Sequence, residues 1–367
     1  MKIVIFGLTI SSSWGNGHAT LWRGLCKHLA RSGHSIVFFE RDVPYYAGAR
    51  DLHELPGGAL RLFANWDDVR QAASAEIRDA DVAIVTSYCP DAIAATELIL
   101  SEARAVPVFY DLDTPVTLAK LIAGESVPYI GPRGLRDFEL VLSFTGGPHV
   151  EDEFRNRLGA GDTRALYGHV DTDIHHPVTP QPHYRADLSY LGTYSEDRQR
   201  TLAALFVAPA RARQDLRFLI GGAQYPDDFP WSPNIYFVRH LPPSEHAPFF
   251  ASSRLTLNVT RRAMAEMGWC PSGRLFEAAA CGVPLLSDDW PGIADFFAPG
   301  EEILIVRDEH DALAALAMPD AELRRLARRA YDRTMDQHTS DKRARELISM
   351  LEQITSSRIS RQQIEEA

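Results

Sequence analysis

The sequence has little lysine, little cysteine and no long apolar run, and each shortage excludes a class of protein. Only four of the 38 basic residues are lysines, so a mechanism that needs a buried catalytic lysine, such as a pyridoxal Schiff base, has almost no candidates. The four cysteines show no paired metal-ligand spacing, which favours a reducing compartment. No apolar run approaches the roughly 20 residues that a membrane span requires.

The charge balance narrows the partners further. A formal net charge of −11 over 367 residues argues against nucleic acid or an anionic membrane as the main partner. Hydrophobic content of 45% and charged content of 24% are typical of a globular enzyme, and the length predicts two domains of roughly 150 to 200 residues. We therefore expect a cytoplasmic protein without a transmembrane segment, with peripheral association at the inner membrane face as the alternative.

Apolar strands alternate with helices along the chain, which is typical of parallel sheets covered on both faces. Strands are predicted at 2–7, 34–40, 60–64, 81–87, 106–111, 140–145 and 165–168, then, after a proline-containing linker at 170–195, at 188–193, 216–222, 234–241, 254–260, 284–288 and 301–306. A charged amphipathic helix is predicted from about residue 320 to 365.

This pattern predicts an α/β chain of two Rossmann-like domains that face a cleft, with a C-terminal helix crossing back to the first domain. We place the domains at 1–172 and 173–335, and the helical segment at 336–367. Ligands of such sheets bind at the carboxyl ends of the strands, so the loops after strands are where functional residues are expected.

The segment "PSGRLFEAAACG" carries a carboxylate, Glu277, in a helix that is otherwise apolar. Ser272 is a favoured N-cap, so Gly273 and Arg274 fall in the first turn, whose free N–H groups form an anion site. A capping box would need its glutamate at position 275, where Leu275 stands. Two explanations remain for Glu277: it pairs with an arginine inside the domain, or it accepts hydrogen bonds from a ribose diol beside an anchored diphosphate.

The N-terminal loop "SSSWGNGHAT" offers Gly15, Asn16, Gly17 and His18, which suggest close backbone approach to a ligand. His18, at a helix start, can act as a base or a hydrogen-bond donor, or can simply shape the loop. A dinucleotide fingerprint with Glu40 as its acid is the weaker alternative, because several residues separate the first strand from these glycines.

Other strand ends carry polar or glycine-rich loops. Asp111 and Asp113 form a D-x-D pair, which binds a divalent metal in some proteins and shapes a loop in others. The further candidates are Gly146 and Gly147 in "SFTGGP", Gly222 in "GGAQYP", and Arg261, which is either a phosphate clamp or half of a solvated arginine pair.

Together these segments resemble the two-Rossmann (GT-B) glycosyltransferases that use nucleotide sugars, specifically group 1, or family 4. "VDTDIHHP" is similar to the linker motif of that group, and "RLFEAAACGVPLLSD" to its E-A-x-A-C-G-x-P signature. More narrowly, "SSSWGNGHAT", "FFERDVPYY", "DLDTPVTLAKL" and "SFTGGP" resemble the spore-maturation (CgeB-like) glycosyltransferases. In order, these motifs span nearly the whole chain.

The resemblance implies a role for individual residues. Glu277 would hold the donor ribose and the Ser272–Gly273–Arg274 turn the diphosphate, with Gly192 and Thr193 in the loop under the donor. Trp269 stands where the group has its first glutamate, and the group's usual lysine is absent, so that Arg198 or Arg261 would supply the charge. The candidate catalytic residues are then His18, Asp113 and Arg261.

The function implied by the resemblance is transfer of a sugar from a nucleoside diphosphate sugar to a carbohydrate or small-molecule acceptor, with retention and without a metal or other cofactor. Inversion would need a side-chain base, for which His18 and Asp113 are the candidates. A nucleotide-sugar 2-epimerase of the same fold and a non-catalytic nucleotide-sugar-binding protein are the alternatives. An NAD-dependent oxidoreductase would require nicotinamide binding.

Overall fold

A computed structural model describes residues 1–14 and 17–365 of the chain. The chain forms two compact units, of which the first contains Met1–Tyr167 and the residues from Ser340 onward, and the second contains Gly168–Thr339. The expected boundaries, after residues 172 and 335, are thus each displaced by four or five residues. No helix in the described ranges is both long enough and apolar enough to cross a membrane.

The first unit is built on a seven-stranded parallel sheet with the order β3-β2-β1-β4-β5-β6-β7. Its strands are β1 (Lys2–Gly7), β2 (Ser35–Arg41), β3 (Gly58–Phe63), β4 (Val82–Thr86), β5 (Val106–Asp111), β6 (Leu140–Ser143) and β7 (Thr163–Ala165). Its connecting helices are α1 (His18–Arg31), α2 (Pro44–Ala47), α3 (Trp66–Arg78), α4 (Ala92–Glu102), α5 (Thr114–Ile122) and α6 (Pro148–Leu158). The central strands β1, β4 and β5 are mostly apolar and buried, as expected for a parallel sheet with helices on both faces.

The second unit has a six-stranded parallel sheet with the order β10-β9-β8-β11-β12-β13. Its strands are β8 (Ala186–Leu191), β9 (Phe218–Gly222), β10 (Ile235–Arg239), β11 (Ser253–Asn258), β12 (Leu285–Ser287) and β13 (Leu304–Ile305). Its helices are α7 (Glu196–Leu202), α8 (Ala208–Ala212), α9 (Pro243–Ala251), α10 (Arg262–Met267), α11 (Gly273–Ala280), α12 (Glu309–Ala317) and α13 (Asp320–Gln337). A π-helical stretch, Ala203–Val207, joins α7 to α8.

The predicted single helix from 320 to 365 is in fact two helices, α13 and α14 (Ser340–Glu365). The break falls where the backbone N–H of Val170 donates to the carbonyl of His338 at 2.9 Å and Val170 pairs with Thr339 in a parallel bridge. Residues that make such a bridge are extended, so they cannot continue a helix. The second helix then packs on α1 in the first unit. The predicted fold class is confirmed, with two Rossmann-like α/β units and the C-terminal helix in the first of them.

Candidate functional site

The carboxyl end of β8 organises the candidate site of the second unit. The N–H of Gly192, one residue beyond the strand, donates to the carbonyl of Gly221 at 2.9 Å, and the N–H of Tyr194 donates to that of Ala223. A Cβ built on Gly222 would lie 2.0 Å from the Gly192 carbonyl oxygen. The close packing of these two loops therefore explains the glycine at position 222, and Thr193 lies half-buried between the two backbone contacts.

Two arginines converge on this strand end. The guanidinium of Arg274, from the first turn of α11, donates to the carbonyl of Leu191. Arg198, from α7, donates to the hydroxyl of Tyr190 at 3.1 Å, and a Cβ on Gly192 would lie 3.2 Å from one of its nitrogens. The Nε atoms of both arginines are buried and make no hydrogen bond within the described chain. Buried donors normally have partners, so this pair has the properties of an anion site.

The first turn of α11 adds a backbone donor to the same place. Ser272 is the N-cap, and its hydroxyl accepts from the N–H of Arg274 at 3.4 Å, as the sequence predicted. A Cβ on Gly273 would contact nothing within 4 Å, so the approach to the helix start is open. The N–H groups of Arg274 and Leu275 are paired with Ser272, so the remaining N–H of the first turn, that of Gly273, and the helix dipole are what favour a bound anion here.

Glu277 lies one turn further along α11 and is buried. Its Oε2 atom makes no hydrogen bond to any residue that the structure describes, and it is 3.8 Å from Nδ1 of His246. Burial raises the pKa of this carboxyl, but the charges of His175, His246 and Arg274 oppose it, and the pKa of Glu277 lies below its ordinary value. The ion pairs of the described residues include none between Glu277 and an arginine, so the first of the two explanations for this carboxylate is not what the structure contains.

Arg261 contacts residues that follow β8 and is more exposed than Arg198 and Arg274. It is the N-cap residue of α10, and half of its side chain is exposed. Its guanidinium is 3.6 Å from a carboxylate oxygen of Asp197 and donates to the hydroxyl of Ser195 at 3.4 Å. Arg261 is thereby tethered to the N-cap and first turn of α7, the helix that also carries Arg198.

Trp269 occupies the position where the resemblance implied a glutamate, and neighbouring residues hold its ring in place. Its indole N–H donates to Asp295 at 2.6 Å, its backbone has a φ of +43°, and a Cβ on Gly292 would lie 2.6 Å from the ring. Position 269 therefore offers no carboxylate to a ligand.

In the first unit, Asp111 and Asp113 differ in burial at the end of β5. The Oδ2 atom of Asp113 accepts hydrogen bonds from Nε2 of His18 and from the hydroxyl of Ser87, each at 2.9 Å. The Oδ1 atom of Asp113 has no hydrogen bond in the described residues, and about a quarter of the side chain (26%) is exposed. Nδ1 of His18 is buried and unpaired in the same ranges. Of the two side chains, that of Asp113 is therefore the more exposed, at 26% against 9% for His18.

Asp111 lies below Asp113 and is completely buried. Its Oδ1 accepts from the N–H of Asp113 at 2.9 Å, and its Oδ2 makes no hydrogen bond within the described chain. Burial, followed by the charge of Asp113, raises the pKa of Asp111 to about 7. The inner carboxyl of this pair is therefore largely protonated below neutral pH.

The loop after β1 is anchored by Glu40, the acid that a dinucleotide site would have used for ribose. Its carboxylate accepts from the hydroxyls of Thr9 and Ser11 and from the N–H groups of Ile10 and Ser11, at 2.6 to 2.9 Å. With both oxygens occupied by the loop, Glu40 has no free acceptor geometry for a nicotinamide cofactor's ribose. Gly15 and Asn16 lie outside the described residues, and Gly17 is the N-cap residue of α1.

The glycines of the third loop have structural explanations. A Cβ on Gly146 would lie 1.9 Å from the Tyr167 hydroxyl. Gly147 has a φ of +91° and is the N-cap residue of α6. Internal packing and a left-handed backbone thus account for both residues without a ligand.

Sequence reasoning missed His175 and His246. His175 follows Val170 in the linker stretch and His246 lies in α9, yet both are beside Glu277. Nothing in their local sequence indicates this proximity, because 71 residues separate the two histidines and 31 more separate His246 from Glu277.

The chain matches one protein-family model and is similar in fold to several solved structures. Residues 198–349 match the family model described as "Glycosyl transferase-like". No curated protein sequence matches the chain. Two of the similar solved structures are an alpha-glucosyltransferase in complex with UDP-glucose and DNA containing an abasic site (TM-score 0.70, 11% identity, 96% of this chain and 99% of that one) and the sucrose-phosphate synthase of Thermosynechococcus elongatus (0.67, 13%, 97% and 99%).

A third similar structure is HepE of Anabaena in complex with UDP-glucose (TM-score 0.65, 13% identity, 96% of this chain and 100% of that one). These neighbours extend over both units, whereas the matched family model covers most of the second unit and the start of α14. The narrower resemblance to the CgeB-like proteins stays a prediction. The chain has the fold of the GT-B glycosyltransferases.

Proposed function

We propose that the protein transfers a sugar from a nucleoside diphosphate sugar to a carbohydrate or small-molecule acceptor. The observation that carries this proposal is the convergence of Arg198, Arg274 and the start of α11 on the end of β8, with Glu277 one turn further along the same helix. Two guanidinium groups whose Nε atoms, and one carboxylate whose Oε2 atom, have no partner among the described residues match a ligand with a diphosphate next to a diol. The glycosyltransferase-like family model over 198–349 and the UDP-glucose complexes of two structural neighbours support the same reading.

In this proposal the diphosphate lies between Arg198, Arg274 and the first turn of α11. The ribose hydroxyls donate to Glu277. The leaving diphosphate gains negative charge as the bond to the sugar breaks, and fixed cations stabilise that charge without a metal ion. Arg261 is half-exposed at the same strand end and supplies the further positive charge.

The acceptor in this proposal binds the first unit at Asp113. The Oδ1 atom of Asp113 accepts a hydrogen bond from the hydroxyl of the sugar acceptor. His18 and Ser87 donate to Oδ2 of Asp113 and so fix the orientation of the carboxylate. We propose retention at the anomeric carbon, with the donor phosphate taking the proton of the acceptor, as the resemblance to family 4 implies. Cytoplasmic location and the lack of a nucleic-acid partner stay predictions from composition.

The first test is nucleotide binding. We would titrate metal-free protein, in the presence of a chelator, with UDP, GDP, ADP, TDP and CMP by calorimetry. A hydrogen bond to a charged group contributes about 1.5–3 kcal/mol, so Glu277→Gln should weaken the preferred nucleotide roughly 10- to 100-fold. Glu266→Gln is the matched control, because Glu266 is exposed and pairs with Arg262 in the same unit.

The second test is chemistry. The preferred sugar nucleotide is incubated alone and with a panel of glycan acceptors, and the products are analysed by NMR, which also gives the anomeric configuration. A glycosylated product supports transfer. An epimerised sugar formed from the donor alone would identify an epimerase, and binding without any turnover would identify a non-catalytic protein. Equal nucleotide affinity of the Glu277→Gln and wild-type proteins would refute the placement of the donor.

A further inference from the structure

His175, His246 and Glu277 form a cluster that the proposed transfer reaction does not need in full. One ligand-type atom from each residue lies within 4.8 Å of the other two. The three residues come from a turn after Val170, from α9 and from α11, so separate elements of the second unit hold them. His175 is buried, with 1% of its surface exposed, and the His246 and Glu277 side chains are 13% and 11% exposed.

The hydrogen-bonding capacity of this cluster is poorly used. Nε2 of His175 is 3.4 Å from Nδ1 of His246, and the same Nδ1 is 3.8 Å from Oε2 of Glu277. A neutral imidazole carries one N–H, and an ionised carboxylate carries none. One proton therefore satisfies the histidine pair at most, while Oε2 of Glu277 has no hydrogen bond within the described residues. At most one proton is thus shared by the two imidazole nitrogens, and Oε2 of Glu277, in the same small volume, receives no hydrogen bond from the described residues.

We propose that this cluster is a binding site for a transition-metal dication of the zinc class. Two imidazole nitrogens and one carboxylate oxygen are a ligand set that zinc takes, with a fourth position left for water or another ligand. Tetrahedral bonds of about 2.0–2.1 Å place neighbouring ligand atoms about 3.3–3.4 Å apart. The His175–His246 separation already has this value, and Oε2 of Glu277 would have to approach Nδ1 of His246 from its present distance of 3.8 Å.

The donor set also selects against other cations. Magnesium and calcium prefer six or more oxygen ligands, whereas imidazole suits zinc and its neighbours in the first transition row.

A metal ion at this site would affect donor binding, and this part of the inference rests on the proposed function. A metal ion on Oε2 would draw the Glu277 carboxylate towards the histidines and away from the ribose. Zinc should then weaken donor binding, and the donor should weaken zinc binding by the same factor, because coupling between two binding equilibria is reciprocal. The site would act as a metal-dependent brake on donor binding rather than as part of the transfer chemistry.

The test measures metal binding without any nucleotide, so its outcome is independent of the proposed function. Metal-free full-length protein is titrated with Zn²⁺ by calorimetry and with Co²⁺ by visible absorption. His246→Ala and Glu277→Gln should each lower the affinity for Zn²⁺ by about tenfold or more and abolish the tetrahedral Co²⁺ spectrum. His183→Ala is the control, because His183 is an exposed histidine of the same unit, and it should bind like wild type.

Unfolding of a variant would not obscure the result. Zn²⁺ should raise the Tm of wild-type protein, since a ligand that binds only the native state stabilises it. The isosteric Glu277→Gln variant should fold in metal-free buffer and show a smaller rise. The proposal is overturned if wild type binds no Zn²⁺ with a Co²⁺ spectrum of this type, or if both ligand variants bind Zn²⁺ as tightly as the His183→Ala control.

Discussion

The buried carboxyl of Asp111 should make the stability of the first unit depend on pH. Its pKa rises from an ordinary 3.8 to about 7, because burial and the neighbouring Asp113 charge both disfavour ionisation. A carboxyl whose folded-state pKa is raised stabilises the fold below the ordinary value, and this contribution is lost as the pH rises through the folded-state value. The full loss is about 4 kcal/mol at 1.36 kcal/mol per pKa unit, of which about 2–3 kcal/mol falls between pH 5 and pH 8.

Asp111→Asn removes this titration and keeps the rest of the site. The amide oxygen can still accept from the N–H of Asp113, as Oδ1 does now. Urea unfolding of both proteins at pH 5 and pH 8 gives the free energy of unfolding. From pH 5 to pH 8 the wild type should lose about 2–3 kcal/mol relative to the variant, because the titration of all other groups cancels in the comparison.

Glu125→Gln provides the control, because Glu125 is an exposed carboxylate of the same unit. Its pH dependence should match that of the wild type. If Asp111→Asn also follows the wild-type pH dependence, then Asp111 is ionised in the folded protein at pH 8 without cost. In that case the division of the pair into an inner neutral and an outer charged carboxyl is wrong.

Two further predictions concern the loops at the strand ends. Asp113→Asn should lower kcat/KM for the transfer reaction roughly 10-fold or more, which is the loss expected for one hydrogen bond to a charged group. The nucleotide Kd should stay at the wild-type value. A change in the nucleotide Kd alone would place Asp113 at the donor instead. Gly222→Ala should lower the free energy of unfolding, measured by urea unfolding, by about 1–3 kcal/mol. The reason is that the added Cβ would lie 2.0 Å from the Gly192 carbonyl oxygen. Unchanged stability would mean that this loop moves freely.

The sequence pattern was sufficient for the strands and for the local structure of α11. Ser272 caps that helix, which begins at Gly273 as expected. Both features depend on residues within a few positions of one another, where capping preference and apolar spacing act. The same reasoning excluded a capping box for Glu277, and the structure places the carboxylate away from the helix start.

Local patterns failed where the decisive contact is distant in sequence. The amphipathic pattern runs from 320 to 365 without interruption, and the break at 338–339 arises from the pairing with Val170, about 170 residues earlier. Glu40 has the spacing of a ribose-binding acid, yet the loop of Thr9 to Ser11 takes its oxygens. A glycine-rich loop likewise predicts a close approach, but not whether a ligand or the protein makes it.

The two buried carboxyls also show why charge state cannot be inferred from residue type and burial alone. Burial raises the pKa of both Asp111 and Glu277, yet Asp111 ends above its ordinary value and Glu277 below it. The difference lies in their neighbours, a second carboxylate for Asp111 and two histidines with Arg274 for Glu277. Because those neighbours come from separate elements, only the fold determines that Glu277 keeps its charge at neutral pH. That charge is what both a ribose diol and a zinc ion require, so competition between them is the physical expectation for this site.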